Sequence, residues 1–239
     1  MTTSYYVPPE NVRGNVLLLP EEEAHHAARV LRARPGDEIV AVDGQGGWYR
    51  AEVDQADKRS VSARIVERRS GVGEPPYELT IGLAVLKNPG RFETFLEKAV
   101  ELGVRRVVPL VTERTEKARI KESRASNILV AAMKQCGRSR LVALDDPRPL
   151  ADFLGRCADG LRLICHEQTE PEHAIARQLE QRLSAATMSV LVGPEGGFSD
   201  AEIRQAAEAG FVPVSLGPRR LRAETAALAA AAAVMLLRP

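Results

Sequence analysis

The chain has 239 residues, 44% hydrophobic and 27% charged, with a formal net charge of +1. That length allows one large domain or two ordinary ones, and the composition supports a sizeable core. The near balance of charge excludes a polycation, so any anionic partner must be met by a local patch. Three cysteines, Cys136, Cys157 and Cys165, have no C-x-x-C spacing. They argue against a disulfide framework or a structural zinc and fit a reducing, cytoplasmic setting. The opening MTTSYYVPPE has no basic n-region and no apolar stretch, so no signal peptide is expected. The longest unbroken apolar run, 226–237, has 12 residues, where a membrane span needs about 20.

From 1 to 70 the pattern is short strands with one helix. Residues 16–19 form a strand, and Pro20 with three glutamates opens a helix. Arg29, Arg32 and Arg34 come near its end, before Pro35 and Gly36, so both charge placements suit the helix dipole. A strand at 39–42 leads into the glycine-rich turn 43–47. Tyr49, Ala51 and Val53 alternate with polar neighbours, as do Val61, Ala63 and Ile65, which predicts half-buried strands. Short strands between glycine turns predict a small barrel over 1–70. The stretch 71–76, rich in glycine and proline, reads as a linker.

Beyond it strands and helices alternate. A buried strand at 79–86 precedes a helix at 91–102, with Phe92, Phe95, Leu96, Ala99 and Val100 on one face and Gly103 as its stop. A strand at 107–111, a polar loop at 112–121 and a helix at 126–136 follow. Then come a strand at 161–165, a helix at 171–183 and a strand at 188–192. Ser199 and Glu202 form a capping-box pattern that starts a helix ended by Gly210. A strand at 212–216 and a helix at 224–237 complete the chain. This order predicts an α/β domain over 77–239, with a parallel sheet covered on both faces.

Two loops at strand ends stand out: Gly193-Pro194-Glu195-Gly196-Gly197, and the stretch from Leu216 to Thr225. Ligands bind at the carboxyl ends of parallel strands, and glycine lets main chain lie close to a ligand. Neither loop is a dinucleotide or triphosphate glycine motif.

GPEGGFSDAEI and LGPRRLRAETAALAA together resemble the ribosomal RNA small subunit methyltransferase E family, uridine-N3 methyltransferases of the SPOUT superfamily. HHAARVLRARPGD, LKNPGRFETFLEKAVELGV, VPLVTERT and KQCGRSR agree, so the resemblance covers nearly the whole chain. It implies a PUA- or OB-like barrel over 1–70 and a SPOUT methyltransferase domain whose C-terminal segment threads a trefoil knot. Knots are nearly absent from proteins, and this expectation rests on the resemblance alone.

The resemblance also implies a pocket for S-adenosyl-L-methionine between the two loops. Leu191, Gly193, Pro194, Glu195, Gly196 and Gly197 are the cofactor-binding residues it implies in the first loop. In the second they are Leu216, Gly217, Leu221, Arg222, Glu224 and Thr225. Main-chain groups can read the edge of adenine only where no side chain intervenes. Glu195 and Glu224 either contact the cofactor or brace the loops.

Uracil N3 carries a proton and becomes a nucleophile only when that proton leaves, so its anion needs stabilising. Arginine does this well. Arg138 is the first catalytic candidate, because it aligns with the arginine of the family's Glu-Gln-Ser-x-Arg pattern. Lys134 and Cys136 stand where the family more often has Glu and Ser, which leaves Gln135 and Arg138 as the matching part. Arg222 is the candidate from the second loop. The sequence does not identify the proton acceptor; Glu195, Glu224 or a water could serve.

Between 105 and 140 ten basic residues face three acidic ones. This patch predicts RNA phosphate contacts through Arg114, Lys117, Arg119, Lys121 and Arg140, extended by Arg29, Arg32 and Arg34. The implied partners are 16S rRNA in the small subunit and a second copy of the chain, with the alanine-rich last helix as a candidate subunit contact. No membrane partner is expected. No metal is expected either, because His25 and His26 have no acidic or cysteine partner at ligand spacing. Two alternatives stay open: methylation of another RNA position, and a non-catalytic RNA-binding assembly factor that lacks cofactor affinity.

Overall fold

The computed structural model describes residues 4–57, 60–116, 119–157, 159–182 and 184–238. They group into two compact units, Met1–Glu74 with Val130–Leu141, and Pro75–Leu129 with Val142–Pro239. The division falls inside the expected linker. Residues 130–141, read from the sequence as part of the second domain, group with the first unit.

The first unit contains β1 (Ser4–Tyr6), β2 (Val12–Arg13), β3 (Val16–Leu18), β4 (Glu38–Val42), β5 (Gly47–Ala56) and β6 (Val61–Ser70). They form one sheet in the order β1-β4-β5-β6-β3-β2, antiparallel except for the β1–β4 pair. The alternation read from the sequence is the core: Tyr49, Ala51 and Val53 on β5 and Val61, Ala63 and Ile65 on β6 are all buried beside Leu17 and Ile39. The helix α1 (Glu21–His25) continues as a π turn over His26–Val30, shorter than the sequence suggested. Arg32 ends the segment in the left-handed conformation, with φ 55°.

The 43–47 turn is built on one carboxylate. Asp43 Oδ1 accepts the N–H groups of Gln45 and Gly47, both at 2.8 Å, and Oδ2 accepts the Tyr49 hydroxyl at 2.9 Å. Gly47 is required because a Cβ there would collide with that carboxylate and the Tyr49 hydroxyl.

The second unit opens with β7 (Glu78–Ala84), α2 (Pro89–Glu101) and β8 (Arg106–Val111). The helix α3 (Glu122–Cys136) contributes residues to both units. Next come β9 (Ala143–Leu144), β10 (Arg148–Pro149), α4 (Leu150–Leu154) and β11 (Leu161–Cys165). The chain continues through α5 (Ile175–Glu180), β12 (Thr187–Val192), α6 (Asp200–Glu208), β13 (Val212–Val214) and α7 (Ala223–Leu237). Every pair in this seven-stranded sheet is parallel, in the order β10-β8-β7-β12-β11-β13, with β9 also on β8.

Helix α7 packs on α2, α5, β7 and β12. Another cluster joins α4 and α6 to the sheet through Phe153, Leu154, Ala206 and Phe211 against Val108, Leu110, Ile164 and Leu191. Gly82 in β7 makes room for this layer, since a Cβ there would meet Leu191 at 2.7 Å and Leu110 at 3.0 Å. The single helix expected over 171–183 is instead a 3-10 turn, Pro171–His173, followed by α5. The break comes where the main chain pairs with Ser215: Ser215 N–H donates to His173 O and Ile175 N–H donates to Ser215 O, both at 3.0 Å.

Candidate functional site

Both glycine loops lie at the carboxyl edge of the parallel sheet. Their strands are consecutive in sequence, yet in the sheet β11 lies between β12 and β13. The loop after β11 is therefore a third wall, one that the sequence reading did not include.

The first corner folds back on itself. Gly197 N–H donates to Pro194 O at 2.8 Å, and Gly197 takes φ 70°, a conformation costly for any side chain. A Cβ on Gly193 would sit 3.0 Å from the Phe198 nitrogen, so a side chain there would press on the corner's main chain. Pro194 is buried, and Glu195 and Gly196 are exposed. Leu191, expected to line the pocket, is fully buried in the sheet core over Gly82.

The corner is then pinned from two sides. Glu202 closes the expected capping box, accepting Ser199 N–H at 2.9 Å while the Ser199 hydroxyl accepts Glu202 N–H at 3.3 Å. Its other oxygen accepts Glu113 N–H at 2.9 Å, tying the loop after β8 to the start of α6. Arg114, expected to bind RNA phosphate, donates from Nη1 to Gly196 O at 2.6 Å. One of its donors is thus spent on the corner.

The second loop starts at Ser215, whose hydroxyl accepts Gly217 N–H at 3.2 Å. Gly217 takes φ 105°, and a Cβ added there would meet nothing within 4 Å, so this stretch of main chain is open. Leu216 and Leu221 are half-buried, while Arg222 and Thr225 are exposed. Arg222 is the N-cap residue of α7. Arg220 crosses the edge: its Nε lies 3.4 Å from Glu167 in the loop after β11, and its Nη2 donates to Glu195 O at 3.5 Å.

Arg91, in the first turn of α2, stands between the two glutamates of the loops. Its Nη1 is 3.8 Å from Glu195 Oε1 and its Nε is 3.6 Å from Glu224 Oε1. Glu224 is only 12% exposed, and its Oε2 is buried with no hydrogen-bond partner among the described residues. An open buried acceptor and uncovered glycine main chain are what a ligand with several donors would use, so the edge fits the cofactor expected from the sequence. Nothing in the sequence singled out Arg91, which reads as one more charge at the start of an amphipathic helix. Nearby, Glu116 and more weakly Glu195 hold the Lys87 ammonium above its ordinary range. Cys165 ends β11, and burial pushes its thiol up to about 12, which makes it a neutral packing group.

The remaining expected site residues have separate placements. Gln135 and Arg138 belong to the first unit. Gln135 is exposed. The Arg138 side chain is 4% exposed and its Nη2 is 2.7 Å from Glu74 Oε2, with Nε donating to the same oxygen at 3.2 Å. Glu74 Oε1 accepts the N–H groups of Ser139 at 3.1 Å and Arg140 at 2.8 Å. Arg138 therefore fastens the 137–140 turn to Glu74. Arg140 lies with its guanidinium over Gly46 in the same unit. Arg29, Arg32 and Arg34 are exposed in the first unit, and Arg119 and Lys121 are exposed in the second. Lys117 lies outside the described residues. Among the described residues no cluster of three or more His, Cys, Asp or Glu could hold a metal, and no helix is long and apolar enough to cross a membrane.

Comparison with known proteins agrees with this architecture. Residues 73–235 match the RNA methyltransferase domain family, and residues 19–66 match the RNA methyltransferase PUA domain. The chain is 35% identical over 231 residues to ribosomal RNA small subunit methyltransferase E of Aquifex aeolicus, covering 95% of this chain and 96% of that one. It is 34% identical over 235 residues to the protein of the same name from Synechocystis, covering 97% and 76%. The crystal structure of a ribosomal RNA small subunit methyltransferase E from Neisseria gonorrhoeae bound to S-adenosyl methionine is similar, with a TM-score of 0.86 and 30% identity over 99% of this chain and 98% of that one. The chain belongs to the ribosomal RNA small subunit methyltransferase E family.

Proposed function

We propose that the protein transfers a methyl group from S-adenosylmethionine to N3 of a uridine in 16S rRNA of the small ribosomal subunit. The observation that carries this reading is the meeting of three loops at one sheet edge. Arg220, on the loop after β13, reaches Glu167 after β11 and the Glu195 carbonyl after β12. When bound there, S-adenosylmethionine supplies an electrophilic methyl on a sulfonium. The chain's own work is to align and to stabilise charge. Gly196 and Gly217, both exposed, leave main chain at the edge uncovered by a side chain. Arg222 takes the anion-stabilising role, because of the three catalytic candidates it is the one carried by a donor loop. Arg138 takes a structural role beside Glu74.

The RNA is held through exposed cations, Arg119 and Lys121 in the second unit and Arg29, Arg32 and Arg34 in the first. We further propose that the C-terminal segment threads the trefoil knot. The return of α7 from the edge strand β13 to pack on β7 and β12 supports that path. A homodimer is supported by Met235 and Leu236, which are exposed near the end of α7.

The test is methylation of small subunits from cells lacking this protein, using labelled donor and identifying the product nucleoside by mass spectrometry. N3-methyluridine is expected. A 2′-O-methylated nucleoside or a different methylated base would overturn the position. RNA binding without label transfer or donor affinity would favour the assembly-factor alternative.

A further inference from the structure

The three charged side chains Arg91, Glu195 and Glu224 meet at the sheet edge without closing on one another. Arg91 approaches Glu224 to 3.6 Å and Glu195 to 3.8 Å, in both cases beyond hydrogen-bond distance. The buried pair Arg138–Glu74, by contrast, closes to 2.7 Å. At the sheet edge Glu224 Oε2 is also buried and lacks a donor among the described residues. A carboxylate only accepts hydrogen bonds, and leaving a buried one unserved is costly. The structure thus holds a cation and an anion side by side, each with unused hydrogen-bonding capacity.

A neutral donor such as an adenine amino group or a uracil N–H would serve Glu224 and leave Arg91 as it is. A ligand group carrying both an ammonium and a carboxylate on one carbon serves both at once and leaves the local charge balanced. Resting on the donor reading above, we propose that Arg91 and Glu224 form a subsite for the zwitterionic α-amino-acid end of the methyl donor. Arg91 takes the carboxylate and Glu224 Oε2 takes the ammonium. Glu195 holds Arg91 from the far side, which makes it a positioning residue. The subsite is placed by the start of α2 and the first turn of α7, both next to loops at the carboxyl edge.

Two thioethers separate this subsite from the rest of the pocket. S-adenosylhomocysteine carries the amino-acid end, and 5′-methylthioadenosine lacks it. Titration calorimetry of both into the full-length protein and into Glu224→Gln and Arg91→Lys variants gives the answer. Either substitution is expected to weaken S-adenosylhomocysteine about tenfold or more, the scale of one charge-assisted hydrogen bond. Affinity for 5′-methylthioadenosine is expected to stay within about twofold of wild type. Equal losses for both probes would make the pair a mere brace for the loops and overturn the proposal. No loss for either would place the amino-acid end elsewhere, with the same consequence. A wild-type protein that binds neither probe would remove the donor reading itself. The two variants are independent, so if Glu224→Gln fails to fold, Arg91→Lys still decides.

Discussion

Arg138 and Glu74 are the clearest case of a residue whose role depends on its partner. The sequence presents Arg138 in a motif that resembles a catalytic pattern, while Glu74 looks like a lone acid in a linker. Together they form a buried ion pair that also caps two backbone N–H groups. Removing one member of such a pair costs more than the pair contributes. Glu74→Ala is therefore expected to destabilise the protein by about 3–5 kcal/mol, measured by denaturant unfolding. A change under about 0.5 kcal/mol would contradict the structural role proposed for Arg138. Asp43 and Tyr49 give a second test. Burial first, and the bond to Asp43 next, push the Tyr49 hydroxyl up to about 12. Its folded pKa thus lies above its unfolded value near 10, so the folded state keeps this proton longer. The stability it contributes is complete below about pH 10 and is lost as pH rises towards about 12. Tyr49→Phe should flatten the loss of stability across that window. An unchanged profile would show that Tyr49 is not its source.

At the scale of elements, loop 193–199 and helix α6 behave as one piece. The Ser199 cap was legible in the sequence, because a capping box has a fixed four-residue spacing. The second bond of Glu202, to Glu113 N–H, was not, since it joins positions far apart in sequence. Ser199→Ala should cost about 1 kcal/mol, the usual value of an N-cap. Glu202→Ala should cost more, because it also strips the partner from Glu113. Equal melting temperatures for the two variants would contradict this. The long strands and helices were legible for the same reason as the cap: β5, β6 and α2 carry enough residues to show a period. The strands β1, β2, β9 and β10 have two or three residues each and show none. The interruption at Ala174 was hidden because its cause, pairing with Ser215, is remote in sequence. At the site, the glycine corners were legible as punctuation. Arg91 was not, because its meaning lies in two glutamates more than a hundred positions away.

At the scale of the whole molecule, each of the two units has its own exposed cations. If Arg29, Arg32 and Arg34 touch RNA, replacing them with alanine should weaken RNA binding and flatten its salt dependence. On single-stranded RNA the log–log slope is expected to change by about 0.7 for each phosphate that is no longer neutralised. An unchanged slope would take the first unit's arginines out of the interface. The donor is assigned entirely to the second unit, at the carboxyl edge of its parallel sheet. A different opening lies at the amino ends of β11 and β13, a cavity of about 320 Å³ lined by Arg162, Arg182 and Gly210 among others. Amide hydrogen exchange with and without saturating S-adenosylmethionine separates the two places in one measurement. Slower exchange is predicted at 193–197 and 215–222. Slowing confined to the Arg162 cavity, or none anywhere, would contradict the account.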